Sequence, residues 1–335
     1  MIIPSCHLDA LQAFGYTKEE ARFLYLVATH SGFFVARQFL GFTGAHWGKR
    51  TTLFWNKLQT RQHARTCRFA QGGVVYHLFS RRVYRQIGRE NLRNRRDHEF
   101  EYVRTRIATL DFVLANLSHD YLETEPDKVA YFCSELKLAP HHLPSKSYSG
   151  RYTTTPTVRY FVDRSPIFFP SSSESSRIVT FTYLQGPEGS LAGFATQLDA
   201  YLPLFRELSA FDFLFLARTS AHFARARDLF RDLVTIPLQS NPAEDLLRYF
   251  AIRKAWDLAQ YTSVTEQDLI FRSSAKERFR GARFEHFYRA WKLGRMSDGD
   301  IRGQLQGSDN PHSIRFEAQV LGAVGRPENG PEENR

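Results

Sequence analysis

Residues Thr43–Arg89 read TGAHWGKRTTLFWNKLQTRQHARTCRFAQGGVVYHLFSRRVYRQIGR, and their pattern decides the fold. Thr43 can cap a helix running to about Thr60. Within that helix Phe54 and Leu58 lie four apart with Leu53 beside them, so the three are expected to pack inward. Lys49, Arg50, Asn56, Lys57, Gln59 and Arg61 are left for the exposed side. Trp47 and Trp55 are expected in the core. His63–Phe69 and Val74–Phe79 then read as strands. Between them stands Ala70-Gln71-Gly72-Gly73, whose glycines permit the positive φ of a tight hairpin turn. Ser80 caps a further helix carrying Arg81, Arg82, Arg85 and Arg89.

Charge gives this stretch its meaning. Residues 37–96 hold 14 Lys or Arg and a single acid, Glu90. Residues 1–118 carry 18 basic and 8 acidic side chains, whereas residues 119–335 carry 27 of each. The whole formal charge of +10 therefore sits in the N-terminal third. A focused positive field attracts phosphate backbones and releases their counterions on binding. A helix followed by a basic hairpin is the sequence form of a winged helix-turn-helix. In that reading Lys49, Arg50, Asn56, Lys57 and Arg61 meet the major groove or its flanking phosphates. Arg65, Arg68 and Gln71 act from the wing, and Arg81, Arg82 and Arg85 anchor the backbone without reading sequence.

Upstream, LDALQAFG forms a short leading helix ended by Gly15. Thr17-Lys18-Glu19-Glu20 is a capping box for a helix to about His30, with Ala21, Leu24, Tyr25 and Ala28 on one face. Val35–Leu40 fits the short second helix of a helix-turn-helix. Residues 90–118 read as one long helix with Phe100, Val103, Ile107, Leu110, Val113, Leu114 and Leu117 at helical spacing. Beyond it, strands are expected at Val129–Cys133, Thr157–Val162, Ile167–Phe169, Arg177–Leu184, Phe211–Leu216 and Val234–Leu238. Helices are expected at Ser190–Leu208 and Ala221–Leu233, then at Ala243–Ala259 and Thr265–Leu293. Residues 138–156 read as loop. Arg278, Arg280, Arg283, Arg289 and Lys292 form a second, acid-diluted basic surface.

Residues 8–88, opening LQAFGYTKEEARFLYLVATHSG, resemble winged-helix transcription factors. The longer arrangement is similar to the bacterial replication-relaxation proteins of plasmids and mobile elements. That similarity extends to a strand ending in Asp163-Arg164, a helix bearing Tyr201, and the strand and helix FLFLARTSAHFARA. The resemblance implies binding of double-stranded DNA at an origin or promoter.

The order of elements over residues 100–217 is also similar to the core of PD-(D/E)XK nucleases. Such enzymes hold Mg²⁺ between acids on adjacent strands and use a Lys to position the attacking water. Asp163 stands where the first acid would be, and Gln197 with Tyr201 match a Q-x-x-x-Y spacing. The following strand, RIVTFTYLQ, offers no second acid and no Lys. One carboxylate is too few ligands for a metal, so Asp163, Gln197 and Tyr201 are weak catalytic candidates and no metal is expected. His141-His142 has no Cys or acid beside it. GAHWGKRT falls short of a phosphate loop at both its glycine spacing and Arg50. No cofactor is expected.

A chain of 335 residues, 42% hydrophobic and 14% aromatic, has ample material for folded cores. Cys6, Cys67 and Cys133 are too widely spaced for a disulfide framework or a zinc pattern. The N-terminus lacks a signal-peptide pattern and no run suits a membrane span, so the cytoplasm is expected. The expected fold is α/β (α+β overall). Its parts are a winged helix at 1–88, a linking helix at 89–118, a mixed α/β domain of degenerate nuclease type at 119–240, a helical extension at 241–324, and a disordered tail at 325–335. The expected function is sequence-selective DNA binding, by a homodimer, in transcription regulation or in replication or mobilisation of a mobile element. The α/β part is a place for a protein partner. The rivals are a metal-dependent nuclease and a protein-interaction module that uses the winged helix.

Overall fold

The computed structural model describes residues 3–68, 73–149, 156–163, 165–171, 177–186, 189–239, 242–260, 264–279, 282–305 and 312–322. The fold is a mixture of helices and strands, with helix the larger share. Gln71, Arg164, Arg280 and the tail 325–335 lie outside the described residues. The chain divides into two compact units, residues 1–233 with 314–335, and residues 234–313.

The larger unit begins with α1 (Ser5–Gln12) and α2 (Lys18–His30). Thr17 and Glu20 close the expected capping box on α2: the Glu20 N–H donates to the Thr17 hydroxyl, and the Thr17 N–H donates to the Glu20 carboxylate. Strand β1 (Phe33–Val35) follows, then α3 (Ala36–Thr43), α4 (Lys49–Thr60), β2 (Ala64–Arg68), β3 (Val74–Leu78) and α5 (Arg81–Gln86). The three strands form one antiparallel sheet in the order β1-β3-β2. Val35 was expected to begin a helix but ends a strand, because Phe33, Phe34 and Val35 are β-formers that pair with His77, Tyr76 and Val75. The helix begins one residue later, where Gln38 accepts from the Val35 N–H at 3.0 Å.

Gly32 permits the tight entry to β1. Its φ is +83°, and a Cβ there would stand 2.2 Å from the Asn94 carbonyl oxygen. Asn94 is buried, and its amide donates to the carbonyls of Ala28 and Thr29 at the end of α2. This anchor corrects the long helix expected over 90–118. The chain lies against α2 through a 3₁₀ turn at Arg93–Arg95, and the helix proper, α6, runs only from Phe100 to Ala115.

Helix α6 is no exposed connector. Val103, Ile107, Leu110, Phe112, Val113 and Leu114 are all buried. Arg37 of α3 makes a two-pronged ion pair with Asp111 of α6, at 2.8 and 2.6 Å. Gln38 donates to the Ile107 carbonyl and to Asp111. Beyond α6 come β4 (Asp120–Tyr121) and α7 (Glu125–Val129), which continues as a π-helical turn over Ala130–Glu135. Val129–Cys133 is therefore helical rather than a strand. The start signal lies just upstream, where Thr124 and Asp127 form a capping box with Pro126 in the first turn.

After a 3₁₀ turn at Pro140–His142, strands β5 (Ser145–Tyr148) and β6 (Thr157–Tyr160) pair antiparallel as a separate ribbon. The segment expected as loop thus supplies a strand. The main sheet is built from β4, β7 (Ile167–Phe169), β8 (Thr180–Leu184), β9 (Ala210–Ala217) and β10 (Ser313–Val320), in the order β10-β9-β8-β7-β4. Strands β4, β7 and β8 form an antiparallel series. Helix α8 (Ala192–Phe205) then crosses over to β9, which runs parallel to β8 as such crossovers require. Helix α9 (Phe223–Phe230) follows. Strand β10, within the expected helical extension, was not foreseen. One hydrophobic core joins both ends of this unit, from Leu11, Leu24 and Phe54 to Phe168, Leu184 and Leu216.

In the smaller unit, residues Val234–Leu238 are helical rather than a strand, through the end of a π turn and α10 (Ile236–Gln239). Helices α11 (Pro242–Asp257), α12 (Glu266–Arg278), α13 (Ala282–Lys292) and α14 (Asp298–Leu305) complete it. Thr265–Leu293 is two helices, not one. They share an aromatic core of Tyr249, Phe250, Phe279, Phe287 and Tyr288. Among the described residues no helix is long and apolar enough to cross a membrane.

Candidate nucleic-acid interface

Helix α4 has two clean faces. Thr51, Phe54, Trp55 and Leu58 are buried, at spacings of three and four. Phe54 stacks on Phe39 of α3, and Trp55 stacks on Tyr76 of β3, so the helix is fixed to both the preceding helix and the hairpin. The opposite stripe of Lys49, Thr52, Leu53, Asn56, Gln59 and Thr60 is exposed. Leu53, expected in the core, is half exposed. It stands four residues after Lys49 and three before Asn56, so helical geometry assigns it to the polar stripe. Trp47, also expected inside, is 63% exposed just before the helix begins. Trp55 is in the core as expected.

The cations of this region fall into two sets. Arg50 and Lys57 project from one flank of α4 toward the start of α2, where they pair with Glu19 and Glu20. The Lys57 ammonium is 2.8 Å from the Glu20 carboxylate, which is 96% buried and already accepts from Thr17. Arg65 pairs with Asp97, donates to His77 and lies over the Phe79 ring. Arg61 lies over the Tyr16 ring at 5.5 Å. In contrast, Lys49, Arg68, Arg81, Arg82 and Arg85 are exposed, and no carboxylate among the described residues pairs with them. Asn56 is exposed and its amide makes no hydrogen bond within the described residues.

Buried imidazoles brace this surface from behind. His63, just past α4, is pushed down to a pKa of about 4 by burial and by the positive charges of Arg61 and Arg82. The ring is therefore neutral, and its Nδ1 shares a hydrogen bond of 2.8 Å with the Tyr16 hydroxyl. The joint influence of Arg61 and Arg82 on one ring locates positive charge at the C-terminal end of α4. His77 of β3 is likewise pushed to about 4, chiefly by burial. Its Nε2 donates to the Asn94 carbonyl, which leaves Nδ1 to accept from Arg65.

The weak catalytic candidates also meet, around the turn before β7. The Asp163 carboxylate accepts from the Ser165 N–H at 2.8 Å. Gln197 of α8 donates to the Thr182 carbonyl and accepts from the Ser165 hydroxyl. Tyr201 is buried beside them, and burial with the nearby Asp163 charge raises its pKa well above the ordinary value. Lys128 donates to the Ser165 carbonyl. These bonds tie α7, α8 and β8 to one turn. Arg159 pairs with Glu125, not with Asp163. Strand β8 contributes no acid, and no group of three metal-binding side chains occurs among the described residues. His142 lies 3.5 Å from Glu207. On the second basic surface, Lys292 pairs with Asp257 and Arg283 donates to the Gln304 carbonyl.

No family model, curated protein or solved structure matches this chain.

Sequence reasoning missed the acids that take up Arg50, Lys57 and Arg65. Glu19 and Glu20 were read only as capping residues, and Asp97 as part of a helix. It also missed that Leu53 belongs to the exposed stripe. The signal for that was present in its spacing from Lys49.

Proposed function

We propose that this protein is a sequence-selective binder of double-stranded DNA, built on a winged helix-turn-helix over residues 8–88. In this reading α4 enters the major groove, the β2–β3 hairpin is the wing, and α5 grips the backbone. The order helix, strand, helix, helix, hairpin is that of a winged helix. The observation that carries the reading is the exposed polar stripe of α4 together with exposed cations that pair with no carboxylate among the described residues: Lys49 at its start, Arg81, Arg82 and Arg85 on α5, and Arg68 on the hairpin. Positive groups without protein partners are what counterion-releasing phosphate contacts require. Lys49 and Asn56 are exposed on α4, where a groove contact requires them. Arg50, Lys57 and Arg65 act first as struts between elements.

The protein then acts as a transcriptional regulator, or as a replication or mobilisation factor of a plasmid or mobile element, and reads two half-sites as a homodimer. Selection of bound fragments from genomic DNA, followed by footprinting, tests this. Two protected half-sites about one helical turn apart are expected. No protection at any sequence would sink the proposal.

The main sheet favours a second reading, of descent rather than activity. An antiparallel series, a crossover helix and a parallel strand, with Asp163, Gln197 and Tyr201 gathered at one turn, suit a PD-(D/E)XK scaffold. The side chains at that turn hydrogen-bond the adjoining loop and strand.

A further inference from the structure

We infer that α4 recognises an A·T pair and its immediate neighbour through Asn56 and Leu53, with Asn56 on adenine and Leu53 on a thymine methyl. This deepens the DNA-binding reading and rests on it. The two side chains are three residues apart on the exposed stripe, about one and two turns beyond Lys49. Three residues of helix rise about 4.5 Å, close to the spacing of successive base pairs, so both can reach one short step of the groove floor.

Their chemistry is complementary to one kind of base pair. In the major groove adenine presents an acceptor at N7 and a donor at N6, while thymine presents a methyl group. The Asn56 amide carries one acceptor and two donors and makes no hydrogen bond within the described residues, so both sides of a bidentate contact are available. Leu53 is 50% exposed between Lys49 and Asn56. The rest of the α4 core is filled by Phe54, Trp55 and Leu58, so Leu53 has no inward role to perform. A G·C pair would meet the leucine without a methyl group and would offer Asn56 a different pattern of donors and acceptors.

Two base analogues test each contact on the best duplex obtained by selection. Deoxyuridine in place of thymidine removes only the methyl group. At a single thymine it should weaken wild-type binding about fourfold, the worth of one methyl-sized apolar contact. Leu53→Ala should bind the thymine and uracil duplexes equally. 7-Deazaadenine removes N7 and should weaken wild-type binding about tenfold at one adenine, a loss absent in Asn56→Ala. Both side chains are exposed, and unchanged melting temperatures of the variants would exclude unfolding. If neither analogue affects wild-type binding at any position while affinity still falls with salt, the base assignment is overturned and the DNA-binding reading stands. If no salt-dependent binding occurs, both fall.

Discussion

The proposed DNA binding has a salt dependence set by the cations that pair with no carboxylate among the described residues. On a duplex carrying a single half-site, five contacts of one protomer, from Lys49, Arg68, Arg81, Arg82 and Arg85, at about 0.9 counterion each, give a slope of about −4.5 for log K against log salt. Affinity should then fall about 500-fold between 50 and 200 mM KCl. Arg50, Lys57 and Arg65 are already matched by Glu19, Glu20 and Asp97 and should add little. Fluorescence anisotropy of a labelled duplex, titrated across this range, measures the slope. Replacing Arg81 and Arg82 together with Gln should reduce it by roughly 1.8. Lys57→Met should leave it unchanged. A wild-type slope shallower than −1 would refute the phosphate assignment. A slope near −7 would show that the paired arginines and lysine leave their carboxylates on binding.

Further expectations follow from the same residues. Lys57→Met leaves the buried Glu20 without its cation and should destabilise the fold by roughly 1–3 kcal/mol, read by urea denaturation. Gly32→Ala puts a Cβ on the Asn94 carbonyl at positive φ and should cost roughly 2–4 kcal/mol by the same assay; an effect under 0.5 kcal/mol would contradict that packing. His30, His63 and His77 have folded pKa values of about 3, 4 and 4, below the unfolded value. Above pH 6.5 both states are neutral and nothing is lost. As pH falls from there toward 4 the unfolded chain binds protons first, so stability should drop by up to about 1.4 kcal/mol per pH unit for each ring. Supercoiled plasmid incubated with the protein and Mg²⁺ should remain uncut, and cleavage abolished by Asp163→Ala would instead establish a nuclease.

Helix α2, the body of α4 and the hairpin were legible because each carries a local signal, whereas the start of α4 was not, since Thr43 ends α3 and Gly48 precedes α4. Thr17 and Glu20 cap, Phe54 and Leu58 repeat at four, and Gly72-Gly73 separate two β-forming runs. What was not legible depends on distant partners. Phe33–Val35 is a strand only because β3 lies beside it. Residues 90–99 stay out of a helix because Asn94 is bonded to the end of α2. Val129–Cys133 has strand-like residues, but the capping box upstream carries helix into it. At the candidate surface the residue types were legible and their pairing was not. Glu19 and Glu20 are 31 and 37 residues from Arg50 and Lys57, and no spacing rule connects them. Leu53 was misread by its hydrophobicity, although its angular position beside Lys49 and Asn56 was already fixed by the helix.

The hydrophobic core shared by the N-terminal helices and the main sheet has a consequence for modularity. Tyr25 of α2 and Arg89, just past α5, both hydrogen-bond the same largely buried carboxylate of Glu123, which lies beyond α6. Cutting the chain after residue 88 would remove Glu123 and Arg89 and bare the apolar sides of α2 and α3 that α6 covers. The basic module is therefore unsuited to grafting onto another protein as a self-sufficient head. Movement in the sheet would strain the helices directly rather than swing them on a tether. Evolution of a new binding surface on the sheet is correspondingly constrained, because residues there also hold the N-terminal helices in register.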